Sequence, residues 1–510
     1  MAPKTASNPL PRIQHVVVLM MENRSLDNLL GWLYTDTNNQ PPNNIPAQSP
    51  TSYAGLVANE YSNTTDDLGT VYTQNGTSSW PPDVAPTTVP NPDPGELFDQ
   101  MTQQIFGTSS TANMSGFLAN YEGIAGATAG QIMQSYSTDQ VPIISTLARS
   151  FAVCDAWYAS APCQTWPNRG FVHTGSSDGH INNDDYELYD INTIFNLLDS
   201  QGISWAVYND TITPSLVRLM FPKLWLADSS RFGALSDFQA ACAAPANAPA
   251  SQKLPTYTFL EPNFGVVGSD ESYHPPDDVG PAEAFLQQVY SALQGCAYRD
   301  DVLFVITFDE HGGCYDHVPP PSGSVAPQPG PVSRTENFTF DRFGVRVPTI
   351  LISSYVTPGT VFRSGGSVPY DHTTLLATLR DWLGIDATTF TATLPSPRIT
   401  SAPTLAGVLT ETTAQPWPTL NAPKQVRQVS MAGAPANDLH LGIIAGTESR
   451  RRGAYIGKAE VAELRRKIKT RGDAAAWFAN VQGQHAQAAH DALQRGDAAE
   501  AQRLLAAVRR

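Results

Sequence analysis

Five residues in three short segments have the types and settings that chemistry needs. Glu22 and Asn23 follow the apolar run "HVVVLMM", and Asp309 and Glu310 follow "VLFVITF". Three carboxylates and an amide oxygen can cage a divalent cation that prefers oxygen ligands. Thr165 opens "TWPNRGFVHTG", where the pattern predicts a helix start with Pro167 in its first turn. A helix N-terminus gathers free N–H groups and positive dipole, which suits a phosphate. Taken alone, the same threonine reads as a helix cap with a buried tryptophan behind it, and polar strand ends are common in loops.

Such residues need rigid supports. Val16–Met20, Ser204–Tyr208, Thr256–Leu260, Val302–Phe308 and Pro348–Ser353 read as buried strands. Each is short, rich in β-branched and aromatic residues, and bounded by polar residues, glycine or proline. Helical patterns occupy 191–202, 281–295 and 372–384, each running up to a glycine. The alternation predicts an α/β fold: a mainly parallel central sheet with helices on both faces. Ligands in such folds sit at the carboxyl ends of strands, where both acidic pairs fall. Residues 1–423 read as one domain. Its Pro-, Asn- and Ser-rich insertions at 35–95 and 319–340 are placed near the site. Residues 424–510 read as a short basic helical appendix, with helical spacing in 458–470 and 497–510.

Charge and composition narrow the function. The 510 residues carry a net charge of −16, so nucleic acid is excluded as the main partner. Residues 424–510 hold 15 Lys/Arg against 8 Asp/Glu, which leaves 16 against 39 before them. That basic tail is the part suited to peripheral contact with an anionic membrane. The five cysteines lack zinc-finger spacing, and one or two disulfides stay open. No stretch approaches the roughly 18 apolar residues of a membrane span. No signal segment is visible, so the chain as written is expected to be soluble and cytoplasmic, with export of a longer precursor left open.

The motifs together are more specific than any one of them. "TWPNR…TG" resembles the nucleophile motif of the alkaline-phosphatase-like superfamily. "VVVLMMENRS", "TFDEHGGCYDHVPPP", "ESYHPPDDV" and "PYDHTTLLATLRDWLG" resemble, in order, segments of the bacterial, fungal and plant phospholipase C and acid phosphatase family. The likeness covers roughly residues 12–385 and not the appendix. It implies an alkaline-phosphatase-like fold and a metal-dependent phosphoric ester hydrolase. Glu22, Asn23, Thr165, Asp309 and Glu310 would hold one divalent metal ion. Calcium or magnesium is favoured by the oxygen ligands, with zinc, manganese or iron used by relatives. Thr165 would attack phosphorus and pass through a phosphothreonine. His311, His274 and His372, which lie in matched motifs, would hold phosphoryl oxygens and protonate the leaving alkoxide. His317 is read as shaping a loop, His173 and His180 as bystanders, and Arg169 as either a phosphate contact or the partner of a buried acid.

The substrate expected from this likeness is a phospholipid, cleaved as by a phospholipase C. A broad-specificity acid phosphatase acting on small phosphomonoesters is the alternative, and an inactive phosphate- or lipid-binding relative a third. Two departures bear on the choice. Asn28 stands where the family carries histidine after Ser-Phe-Asp, and Glu96 stands where many members carry histidine after Asp-Pro-Gly. A carboxylate at 96 would repel an anionic diester or attract a cationic headgroup.

Overall fold

The computed structural model describes residues 10–35, 39–76, 88–183, 189–209, 213–421, 431–495, 497 and 500. At its centre lies a nine-stranded sheet. In chain order the strands are β1 (His15–Met21), β2 (Asn43–Ile45), β3 (Ala152–Cys154), β4 (Trp205–Asn209), β5 (Phe232–Ala234), β6 (Tyr257–Leu260), β7 (Val302–Phe308), β8 (Thr349–Ile352) and β9 (Thr360–Phe362). Their spatial order is β5-β4-β6-β1-β7-β8-β3-β9-β2. Every pairing is parallel except those of β8, which runs antiparallel to β7 and β3. The five predicted strands all form, to within one residue at each end. The four that pattern reading missed have three residues each, too few for a hydrophobic period to register.

All seven residues of β7 are buried, so both faces of the sheet are covered there, as a parallel sheet requires. The covering helices include α1 (Thr165–Thr174), α2 (Ile194–Ser200), α3 (Leu216–Met220), α4 (Val279–Gln294) and α5 (Thr373–Leu383). The Asp278 side chain caps α4 by accepting from Gly280 N at 2.8 Å, and α5 stops at Gly384 in the left-handed region. α1 packs on α2 and α5, while α4 packs on a separate helix at Pro142–Ser150. Truncating one of the buried strand residues, such as Ile306, would cost about 2–5 kcal/mol.

Beyond the sheet, the C-terminal residues form α6 (Asp438–Arg452), α7 (Lys458–Lys467) and α8 (Arg471–Gln494). Leu439, Ile443 and Ile444 of α6 and Phe478 of α8 belong to the same hydrophobic core as the sheet. The helix expected over 497–510 lies outside the described residues except for 497 and 500. Of the 35–95 insertion, β2 joins the sheet edge, and Ser62–Thr65 and Gly69–Tyr72 form an antiparallel hairpin. The five cysteines are buried free thiols. No described helix is long and apolar enough to cross a membrane.

Candidate active site

β1 and β7 pair in parallel from His15↔Val302 to Met21↔Phe308, so the next residue of each chain leaves the sheet at the same point. Those residues are Glu22 and Asp309. Asn23 then takes a left-handed conformation (φ +52°), which asparagine tolerates better than most residues. Its backbone N–H donates to Asp309 Oδ1 at 3.0 Å, and Glu310 N donates to the same oxygen at 2.8 Å. Gly312 passes so close that any side chain there would collide with the Asn23 carbonyl. The two acidic ends are thus tied into one rigid base.

Thr165 reaches this base from α1. The N-cap is Gln164, with extended backbone, and Thr165 is the first helical residue rather than the cap expected from sequence. Its hydroxyl is therefore free to point at the strand ends: Oγ1 lies 3.1 Å from Glu22 Oε2 and 3.2 Å from Asn23 Oδ1. One turn later, Arg169 grips Glu22 Oε1 with both Nε (3.1 Å) and Nη2, and lies over the Phe264 ring. Of its two readings, the acid partner is the one the structure shows. Both side chains are fully buried, so each depends on the other for charge compensation.

The carboxylates are held against their ordinary chemistry. Burial pushes Glu22 well above the usual carboxylate range, Asp309 adds repulsion, and Arg169 opposes both. Burial raises Asp309 also, with Arg169 again opposing. Glu310 is driven well up by burial and then by Glu96 and Asp309. Among the described residues, none hydrogen-bonds to buried Asp309 Oδ2 or Glu310 Oε1, and the nearest cation to Asp309 Oδ2 is Arg169, whose Nε stands 3.9 Å away. Crowded acids with bare oxygens are the environment a bound cation relieves. Glu22, Asn23, Asp309, Glu310 and the Thr165 hydroxyl supply hard-oxygen donors of the type such an ion takes.

The predicted histidines divide by hydrogen bonding. His274 Nε2 lies 3.0 Å from Asn23 Nδ2, and its Nδ1 faces the Pro275 carbonyl, so Nδ1 carries the proton and Nε2 the lone pair. His311 Nε2 donates to Gln104 Oε1 at 2.8 Å, and its Nδ1 lies 3.5 Å from Glu310 Oε2. Burial lowers both histidines to about 3, so both are neutral at ordinary pH. His372 is committed on both sides: Nε2 donates to Asp309 O at 2.6 Å, and Nδ1 accepts from Trp157 Nε1 at 3.3 Å. It steadies Asp309 from behind. His317 binds Asp27 at 2.6 Å beside Arg346, which pairs with both Asp27 and Asp316, so these carboxylates are tied into one ion-pair network. His173 sits among Phe195, Phe221 and Phe259, away from the acids, and His180 lies against Tyr189. Asn28 accepts from Arg24, whose Nε donates to Tyr273 O next to His274.

Glu96, flagged from sequence, lies in the site: its Oε1 accepts from Asn23 Nδ2 at 2.7 Å. Burial, then Asp93, pushes its carboxyl well above the usual range. Among the described residues, Asp93, Glu96 and His274 can bring one ligand atom each within 4.8 Å of one another, as can Asp27, Asp316 and His317, so both groups have donors and spacing a metal could use. Sequence reading missed Gln104, whose Nε2 donates to Gly95 O and Asn120 Oδ1 and so turns its Oε1 to His311. It also missed Asp93 and Asn437. Only the Asp-Pro-Gly segment around Glu96 offered a signal for Asp93; Gln104 and Asn437 had none. A cleft of about 390 Å³ runs between Asp93, Glu96 and His274 on one side and Asn437, Asp438 and Lys469 on the other.

Comparison with known proteins assigns the chain to a family. The chain is 32% identical over 400 residues to non-specific phospholipase C3 of Arabidopsis thaliana, covering 72% of this chain and 69% of that protein. It is 25% identical over 419 residues to phospholipase C A of Mycobacterium tuberculosis, covering 75% of each. Among solved structures, a protein in the alkaline phosphatase superfamily from Vibrio parahaemolyticus matches at 12% identity and a TM-score of 0.28, over 49% of this chain and 64% of that one. The sheet order and strand-end site, rather than that distant match, carry the fold assignment. A sequence model of the Phosphoesterase family matches residues 13–386, a span that holds both strand-end pairs, Thr165 and the three histidines. On this span and these relatives, the chain belongs to the Phosphoesterase family and is a phosphoric ester hydrolase.

Proposed function

We propose that the chain cleaves phospholipids as a phospholipase C, with Thr165 as nucleophile and one divalent metal ion held by Glu22, Asn23, Thr165, Asp309 and Glu310. The observation that carries this is the Thr165 hydroxyl, set at a helix N-terminus 3.1 Å from Glu22 Oε2 beside the bare oxygens of Asp309 and Glu310. The all-oxygen donor set favours calcium or magnesium. When bound, such an ion lowers the pKa of the threonine hydroxyl and offsets negative charge on the phosphoryl group.

The residues divide the rest of the work. Glu22 Oε2 accepts the Thr165 hydrogen bond and orients Oγ1, while Arg169 keeps Glu22 in place from its other oxygen. Thr165 Oγ1 attacks phosphorus, the bond to the diacylglycerol oxygen breaks, and a phosphothreonine forms. The proton lost by Thr165 ends on the departing alkoxide, relayed by a neutral imidazole; His311 Nδ1 offers a lone pair, and His274 Nε2 offers one that has first to be released by the Asn23 and Asn437 amides. In the second step the same lone pair takes a proton from the attacking water, and Thr165 recovers its own. His372 fixes Asp309 throughout.

A phosphodiester fits this cleft better than a phosphomonoester. Asp93 and Glu96 make one wall acidic, while Asp438 on the other side is paired with Arg465 at 3.1 Å. A dianionic monoester meets that wall with twice the charge of a diester. The relatives named phospholipase C point the same way. Lys469, which lines the cleft, would face an anionic membrane surface. The test is hydrolysis of phosphatidylcholine and of p-nitrophenyl phosphate by wild type and Thr165→Ala, with and without chelator. Diester cleavage lost on chelation and on substitution is expected. Monoester cleavage alone would make the protein an acid phosphatase, and no turnover of either would remove the mechanism.

A further inference from the structure

The family match ends at residue 386, yet one wall of the cleft comes from residues beyond it. Asn437 is the N-cap of α6. Its Oδ1 accepts from His440 N at 3.0 Å, and its own backbone N–H donates to His440 Nδ1 at 3.1 Å. His440 Nε2 in turn donates to Phe264 O at 3.0 Å. The cap leaves the amide nitrogen only one direction: Asn437 Nδ2 stands 3.3 Å from His274 Nε2.

Two further attachments hold this segment on the site. Gly442 lies against the indole of Trp166, the residue after Thr165, and a methyl group there would stand 3.0 Å from Cζ2. A methyl group at Gly446 would stand 3.2 Å from Leu219 Cβ on α3, so both glycines permit the close approach. Arg471, at the start of α8, pairs with Asp277 at 2.5 Å, with both side chains 5% exposed. The C-terminal segment therefore touches the nucleophile's neighbour and both sides of the His274 loop.

We propose that this segment is a working part of the active site, in which Asn437 is a positioning residue that holds the His274 ring beside Asn23 and Glu96. The proposal rests on the reading of Thr165, Glu22 and Asn23 as the reacting centre. His274 Nε2 is an acceptor shared by two amides, and the Asn23 amide is also drawn to Glu96 at 2.7 Å. Without Asn437, the ring would keep only the shared donor, and a buried lone pair would be partly unmet. Sequence position gives no hint of this, since 163 residues separate the two.

The test compares full-length wild type, Asn437→Ser and Asn437→Asp. Both replacements are good helix caps, so α6 keeps its start, while the N–H donor to His274 is gone. With p-nitrophenylphosphorylcholine as probe, kcat is expected to fall about five- to tenfold, as loss of one hydrogen bond predicts, with KM within about twofold and melting temperature within about 2 °C. Nitrogen-15 spectra of labelled histidine supply a readout independent of turnover. Wild type should show His274 protonated on Nδ1, which the Pro275 carbonyl fixes in both proteins, and the Ser variant a shifted Nε2 resonance, because that nitrogen loses one of its two amide donors. Wild-type kcat with an unchanged His274 signal would overturn the proposal, as would a loss of kcat matched by a large fall in melting temperature, which would make Asn437 a cap only. If wild type and Thr165→Ala both leave the probe intact, the phosphodiesterase reading fails. The His274 signal still decides whether Asn437 holds the ring.

Discussion

Asn23 Nδ2 donates to Glu96 Oε1 at 2.7 Å, while Asn23 Oδ1 faces Thr165 Oγ1 at 3.2 Å. One amide thus joins Thr165, the proposed nucleophile, to the acidic wall of the cleft, which makes Glu96 the residue to test for substrate choice.

Glu96→Gln keeps the shape and an oxygen for Asn23 but removes the negative charge that Glu96 carries near the phosphate once the pH exceeds its raised pKa. A unit charge several ångströms away in this half-buried setting is worth about 1 kcal/mol, or about fivefold in rate. The ratio of kcat/KM for p-nitrophenyl phosphate to that for phosphatidylcholine should rise by about that factor. An unchanged ratio would show that the wall does not discriminate monoester from diester.

Divalent cations should stabilise the fold, because the bare oxygens of Asp309 and Glu310 favour a bound ion only in the native state. At a hundredfold excess over Kd the gain is about 2.7 kcal/mol. Thermal melts with calcium, magnesium, manganese and zinc would display it as a raised Tm, and Glu310→Gln should shrink the rise. A Tm indifferent to all four ions in wild type would remove the metal from the reading.

Arg169→Met leaves Glu22 buried without its partner. Breaking a buried pair in this way costs about 3–5 kcal/mol. Urea unfolding should give a midpoint shift of that order. Arg169→Met with Glu22→Gln together should recover part of it, because the stranded charge is then gone. A double variant no more stable than the single one would contradict the pairing argument.

Glu283 should make stability fall with rising pH. Burial raises its carboxyl to about 7, against hydrogen bonds from Tyr273 and the backbone of Ile143 and Ile144 that pull it down. Below the unfolded value of 4.5 the group is protonated in both states, and its stabilising share is complete. Between there and about 7 the native state keeps a proton that the unfolded chain has released, so stability declines, by about 3 kcal/mol in all. Glu283→Gln cannot ionise. Measured by urea unfolding at pH 5 and pH 8, its stability relative to wild type should improve across the interval. A constant difference would mean that Glu283 does not titrate there.

The sheet and much of the site were legible in the residues. β1 and β7 announce themselves as buried apolar runs that end on acids, because a strand covered on both faces has no polar positions until it leaves the sheet. Thr165, His274, His311 and His372 stand out as candidates because each lies in a short segment whose order along the chain matches a family. Glu96 stood out as a departure from that order. These are local signals, and local spacing is what a sequence displays.

What the tertiary structure decided is which side chains meet. The direction of β8 and the three-residue strands at the sheet edges depend on neighbours far along the chain. Arg169 meets Glu22 across 147 positions, and His311 meets Gln104 across 207. His274 meets Asn437 across 163, in a segment that looked from its charge like a separate appendix. No periodicity encodes such meetings. They arise because the sheet brings its strand ends together and the helices pack their burial-prone faces over them, which places distant polar groups within hydrogen-bond reach in the one environment where an unmet partner is costly.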